Sequence, residues 1–199
     1  MLKKGLHQVF HETLSHREMH KMFKNIRRYF FEMTQKIPKE YTLGARIMVR
    51  LAAATVGIYK TLINVGYKET EAEEYTSQIT WLIYEKLTTP FWRLTAFIAH
   101  SNIDRVRKVM TFFIKWFPYK YPGYDMRDIQ FKSNIFAFNV YRCPVAEYFA
   151  SQELTKLCVS SFCNLDYPLA DIWDVILERP DVLAERAKYC NFNFKAKNE

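Results

Sequence analysis

Apolar residues in the first 117 positions recur at steps of three and four, the period of a helix with one buried face. Between residues 7 and 37 the series Met22, Ile26, Tyr29, Met33, Ile37 forms such a stripe. Pro38 should end it, because proline disfavours the helical conformation in the residue before it. Thr42 is placed to cap a second helix reaching Val65, and Gly66 to close it. Thr70, with Glu73 three residues on, reads as the capping box of a third helix. That helix carries Ile79, Trp81, Leu82 and Ile83 to about Leu87, and Pro90 should break it. A shorter segment over 91–99 and a helix from Asn102 through Val106, Val109, Met110, Phe113 and Trp116 complete this half.

The pattern changes at Pro118. Residues 119–124 (Tyr-Lys-Tyr-Pro-Gly-Tyr) have the composition of a hinge. Residues 125–131 and 134–141 then alternate with period two, the signature of half-buried strands. Ile135, Ala137, Asn139 and Tyr141 fall on one side, and Phe136, Phe138 and Val140 on the other. Residues 144–160 return to a helical pattern, and 173–178 and 189–195 read as two more strands. Helices first, then strands around a helical insert, predict an α+β fold with an antiparallel sheet of about four strands. The expected organisation is a single domain over 1–199, helical over 1–117 and sheet-bearing over 118–199.

Length and composition agree with one core: 199 residues, nearly half of them apolar. The longest apolar stretch, 47–65, is interrupted by Arg50 and Lys60 and rich in alanine, so it reads as a packed helix rather than a membrane span. Met1-Leu2-Lys3-Lys4 is not followed by an apolar run, so no secretory signal is read and a cytoplasmic location is expected. Residues 1–60 hold twelve Lys/Arg and four Asp/Glu, a surplus of eight that equals the net charge of the whole chain. Lys21, Lys24, Arg27 and Arg28 alternate with Met22, Phe23, Ile26 and Tyr29, the pattern of a solvated amphipathic helix. No nucleic-acid motif accompanies them, so no nucleic-acid partner is expected.

Chemistry concentrates in the last sixty residues. All four cysteines lie there, at Cys143, Cys158, Cys163 and Cys190, separated by 15, 5 and 27 residues with no CxxC pair. That spacing argues against a zinc ribbon and a disulfide framework. Cys158 falls on the apolar side of a short helix and reads as a buried hydrophobe. The other three sit at element boundaries, where side chains line pockets. No histidine follows His100, so a Cys–His dyad would have to recruit one across the fold; Asp166 is the simpler base. Its alternative role is a helix cap ahead of Pro168. His7/His11 and His16/His20 each share a helix face but lack a third metal ligand. No phosphate-binding glycine loop and no GxSxG pattern occurs.

These segments resemble the L-2-amino-thiazoline-4-carboxylic acid hydrolase family. The resemblance rests on Asn139-Val-Tyr-Arg-Cys143, on Cys163-Asn-Leu-Asp166, on Leu183-Ala184 and on Cys190-Asn-Phe-Asn-Phe194. It covers about 120–196, and the first half fits in length and character only. Two positions depart: a glycine usual after the Leu-Ala step is replaced within Glu185-Arg186-Ala187, and Asn191 stands where the family usually has Asp. Asn keeps hydrogen bonding but exchanges no proton.

The resemblance implies hydrolytic opening of a 2-aminothiazoline ring to N-carbamoyl-L-cysteine, without a cofactor. Catalytic roles would fall to Cys143, Cys163, Asp166 and Cys190, and substrate contacts to Asn139, Arg142, Asn191 and Phe192. Arg142 would meet the substrate carboxylate. The competing expectation is a module that has lost the chemistry and binds a small molecule or lipid, as vinyl-reductase-like and transport-particle-like folds do. A metal held by the cysteines stays open as a third. The expected partner is a small-molecule substrate, with no stable membrane insertion and with room for a homodimer.

Overall fold

In the computed structural model, which describes residues 1–197, five helices precede the sheet. They are α1 (Leu2–Phe10), α2 (His16–Thr34), α3 (Leu43–Asn64), α4 (Glu69–Thr95) and α5 (Asn102–Lys115). Strands β1 (Asp125–Lys132) and β2 (Ile135–Arg142) follow, then helices α6 (Pro144–Ser151), α7 (Thr155–Ser161) and α8 (Asp166–Ile172), and finally β3 (Val175–Glu178) and β4 (Cys190–Ala196). Two short 3-10 turns, Cys163–Leu165 and Leu183–Glu185, join the C-terminal elements. The strands form one antiparallel sheet in the order β1-β2-β4-β3. This is the α+β arrangement the sequence predicts.

Helix ends differ from expectation where local chemistry favours another cap. The single helix expected over 7–37 is two helices. Ser15 caps α2, its Oγ accepting from the Glu18 N–H at 3.4 Å while Glu18 accepts from the Ser15 N–H at 2.9 Å. In place of the capping box expected at Thr70 there is half of one two residues earlier: Glu71 accepts from the Lys68 N–H at 3.0 Å, and the lysine side chain has no acceptor to return the bond. The Thr42 cap stands as expected, its hydroxyl accepting from the Ala45 N–H at 3.2 Å.

Pro90 does not break the third helix but lies inside α4. A proline there removes the backbone bond to the Lys86 carbonyl; the Thr88 and Thr89 hydroxyls donate to the neighbouring carbonyls of Tyr84 and Glu85 at 3.0 and 2.7 Å and do not replace it. Tertiary packing holds the last turns, because Trp92 is buried and stacks on Trp173 at 5.2 Å. The 144–160 stretch is likewise two helices, parted where Glu153 takes a left-handed conformation.

Helix α3 is the hub. Val49, Ala52, Ala53, Val56 and Leu62 are fully buried against α2, α4 and α6. It is the one helix among the described residues long and apolar enough to cross a membrane by length and composition, and 61% of that stretch is buried inside the protein. A core helix meets the same criterion, and the burial accounts for its apolarity. The hinge 117–124 is clamped on the start of α3. A Cβ at Gly44 would collide with the Pro118 backbone, and one at Gly123 with Thr42 and Ala45. That close approach carries Tyr119 and Tyr124 inward beneath the sheet.

The sheet has two unlike faces. Phe136, Phe138 and Val140 of β2, with Cys190 and Phe194 of β4, are buried and face α5 and the C-terminal helices. Phe138 pairs with Phe192 in register, and their rings stack at 4.9 Å. The neighbouring pair in the ladder, Asn139 with Asn191, points to the opposite face.

Candidate active site

A cavity of about 130 Å³ lies between the inner sheet face, the hinge and the C-terminal helices. Its walls are mostly aromatic and aliphatic: Phe138, Val140, Phe192 and Phe194 from the sheet, Met110 and Phe113 from α5, and Tyr119 and Tyr124 from the hinge. Cys143, Cys158, Cys163 and Cys190 all open onto it, together with Asp166, Arg179, Tyr84 and Trp173. The predicted Cys143, Cys163, Asp166, Cys190 and Phe192 thus converge on one site from three separate segments: the end of β2, the turn into α8, and β4.

Asp166 begins α8, immediately after the 3-10 turn that carries Cys163. Its side chain has no capping bond. Instead one oxygen accepts from Arg179 Nη1 at 2.8 Å and the other from the Tyr84 hydroxyl at 3.4 Å. About a fifth (22%) of its side chain remains accessible, on a cavity-lining residue deep in the protein. Burial pushes its carboxyl up to about 6, against the opposing pull of Arg179 and the Tyr84 bond. It is therefore largely ionised at neutral pH and poised to take and return a proton.

Arg179 follows β3 and is fully buried. Beyond Asp166 it donates to the Cys163 carbonyl at 2.7 Å and lies over the rings of Tyr167 and Phe192. A buried guanidinium needs such a partner set, because an unpaired charge in that environment is strongly destabilising. Its Nε and the Trp173 indole Nε1 have no partner, two buried donors on residues of the cavity wall.

The thiols divide into two kinds. Burial pushes Cys143 well up, and Cys190 up to about 11, with the Leu183 N–H donating to the Cys190 sulfur at 3.2 Å. Cys158 and Cys163 face each other at 4.0 Å between sulfurs. Of that pair Cys163 is the one shifted down, because Cys158 can donate to it and Arg179 lies on its side. Cys158 is shifted up correspondingly. Burial raises Tyr84, Tyr119 and Tyr124 as well, so their hydroxyls stay protonated.

Three predicted contacts lie elsewhere. Asn191 sits on the outer sheet face, donating to Asn139 Oδ1 at 2.8 Å, and Asn139 donates to Asp128 at 3.0 Å. Arg142 is engaged by Glu40, by Glu147 at 2.8 Å and by the carbonyls of Pro122 and Gly123. It ties the hinge to β2 and faces no ligand site. The reason is the strand period: residues 139 and 191 cannot share a face with 138, 190 and 192. Cys158 departs the other way. It is buried as expected, yet it belongs to the cavity wall.

Arg179, Tyr84, Tyr119 and Tyr124 were not foreseen. Arg179 lies in a Leu-Glu-Arg-Pro run with no periodic cue, and Tyr84 is remote in sequence, on α4. His100 lies outside the cavity, its backbone N–H bonded to Asp104 at 3.1 Å. His7, His11, His16 and His20 line a separate open cleft between α1 and α2. Among the described residues no three His, Cys, Asp or Glu side chains are arranged to hold a metal ion.

Comparison with known proteins adds no relative to this picture: no family model, no curated protein and no solved structure matches the chain.

Proposed function

We propose that this chain is a hydrolase opening a small cyclic C–N/C–S compound of the 2-aminothiazoline-4-carboxylate type, the activity its C-terminal motifs resemble. The observation that carries the reading is the convergence of Cys143, Cys163, Asp166 and Cys190 on one cavity, with Arg179 against Asp166. A cavity of this size suits a single small ring, since a cavity of about 150 Å³ accommodates benzene.

In this mechanism Asp166 takes a proton from water as the oxygen adds to the amidine-like ring carbon. The carbon–sulfur bond then breaks as the added hydroxyl becomes the carbonyl and its proton passes to the ring nitrogen. The Cys163 thiol, the one shifted down beside Cys158 and Arg179, hands its proton to the departing sulfur. Asp166 returns its proton to Cys163, which leaves both groups as they began. The sum is ring plus water to N-carbamoyl-cysteine. Arg179 holds Asp166 in place, and as the one Lys or Arg lining the cavity among the described residues it is the cation available to a substrate carboxylate; Arg142 does not line the cavity. The Asn-for-Asp departure at 191 falls on the outer face and leaves the cavity chemistry as it is.

The test is turnover of 2-aminothiazoline-4-carboxylate by the purified chain, followed as released thiol and as N-carbamoyl-cysteine by mass spectrometry. Cys163→Ala and Asp166→Asn should each abolish it, with circular dichroism confirming folded protein. Unchanged turnover in both variants, or none in the wild type, sinks the proposal.

The apolar walls favour a second reading, a module that binds a hydrophobic small molecule without chemistry. Native mass spectrometry would then show a co-purifying ligand that is released by a bulky substitution such as Val140→Trp, while no thiol appears with substrate.

A further inference from the structure

The corner where α4 turns into α5 carries an apolar cluster that none of the described residues covers. Phe97 is 87% exposed, Leu94 66% and Ile98 60%; one turn back Phe91 lies 6.2 Å from Phe112 of α5, and Trp116, 67% exposed, continues the stripe one turn further at the far end of α5. Monomeric surfaces rarely gather this much aromatic and aliphatic side chain in one place without a partner.

The cluster is held on a firm base. Phe91 packs edge-on against the buried Phe113 at 5.2 Å and lies 6.2 Å from Phe112. Arg105 stacks on Trp92 at 3.6 Å and donates to its carbonyl at 2.7 Å, while Lys108 donates to the Ile98 carbonyl. The tip bearing Phe97 and Ile98 therefore projects from a braced corner.

Its charge identifies the partner. Residues 86–120 contain seven Lys/Arg and one acidic residue, Asp104, which is bound to Lys108 at 2.7 Å; the exposed Asp174, which accepts from Asn102 at the start of α5, is paired with Lys197 at 3.4 Å. Among the described residues, Lys86, Arg93, Lys115 and Lys120 have no carboxylate partner. A second copy docked on the same face would bring two cationic surfaces together, which disfavours self-association there. An anionic lipid surface satisfies both features: headgroups meet the lysines and arginines, and the boundary region receives Phe97, Ile98, Leu94 and the indole of Trp116.

We propose that this corner docks the protein peripherally on an anionic bilayer, with Phe97 and Ile98 inserted and Lys86, Arg93, Lys115 and Lys120 on the headgroups. It lies on a different surface from the hydrolase cavity and does not depend on that assignment.

The experiment is co-sedimentation of the full chain with mixed phosphatidylcholine–phosphatidylglycerol vesicles and with pure phosphatidylcholine vesicles. The mixed vesicles should bind at least roughly tenfold more tightly, and added salt should weaken the binding. Phe97→Glu/Ile98→Glu should remove it, and Arg93→Glu should weaken it several-fold. Both changes lie on exposed positions, and thermal melts would confirm that the variants fold. A blue shift of tryptophan emission on the mixed vesicles should vanish in Trp116→Phe. Failure to bind the mixed vesicles, binding unaffected by Phe97→Glu/Ile98→Glu, or a dimer dissolved by that variant in place of vesicle binding would each overturn the proposal.

Discussion

Asp128 and Asp166 stand on opposite sides of one sheet, and their carboxyls are driven in opposite directions. Asp128 lies on the outer face in solvent, where Tyr141 and Asn139 donate to it at 2.7 and 3.0 Å and hold it below the usual carboxylate range. Asp166 lies on the inner side, where burial overrides a buried arginine and pushes it up to about 6. Hydrogen bonds to the charged form, made in water, favour ionisation; desolvation opposes it. The same contrast runs through the neighbouring residues. Asn139 and Asn191 satisfy each other outside, whereas Phe138, Phe192 and Cys190, one step along the same strands, wall the cavity. A sheet face decides what chemistry a side chain can do.

Substitutions on the two faces should separate by orders of magnitude. On the inner side, Asp166→Asn or Cys163→Ala should lower turnover by about 10³-fold, the scale of a lost proton-transfer group. On the outer side, Asp128→Asn and Asn191→Asp should change it less than about twofold. A large loss from Asn191→Asp would mean that the outer face takes part in the chemistry.

Stability should show the same divide. Phe138→Ala empties a buried site and should cost about 3–5 kcal/mol in urea unfolding, against less than about 1 kcal/mol for Asn191→Ala.

The two aspartates also predict opposite pH dependences. Asp166 has a folded-state pKa above its ordinary 3.8, so its contribution to stability is fully present below that value and lost as pH rises through about 6. Asp128 is shifted down, so its contribution is present above 3.8 and lost as pH falls through its folded pKa. Urea midpoints across that range should lose the first dependence in Asp166→Asn and the second in Asp128→Asn. Turnover should rise through an apparent pKa near 6 as Asp166 ionises.

The smallest effect concerns Arg186, which adopts a left-handed conformation (φ 69) in the turn before β4, at the place where the resembled family carries glycine. Arg186→Gly removes the steric cost of that conformation and should stabilise the fold by up to about 1 kcal/mol, while Arg186→Val should destabilise it.

Several of these features were legible along the chain. The alternation through 135–141 already assigned Phe138 to one face and Asn139 to the other, and applied to 190–194 it separates Asn191 from Phe192. The pattern itself therefore keeps Asn191 and Phe192 from meeting one substrate. The Thr42 cap and the change of period at Pro118 were equally local. The continuation of α4 through Pro90 was not, because it depends on Trp92 stacking against Trp173, 81 positions away.

By itself, then, the sequence determined the α+β class, the antiparallel strands and the inward face of the sheet. Each follows from periodicities of two and 3.6 that act over a few residues. It also marked the C-terminal cysteines and Asp166 as the chemically capable set. Only the tertiary structure decided that these residues meet around one cavity, that Cys158 joins them, and that Arg179 and Tyr84 are the partners of Asp166. Burial, ion pairing and the resulting proton affinity arise from groups brought together from α4, α8 and the end of β3, and no short-range pattern encodes such a meeting.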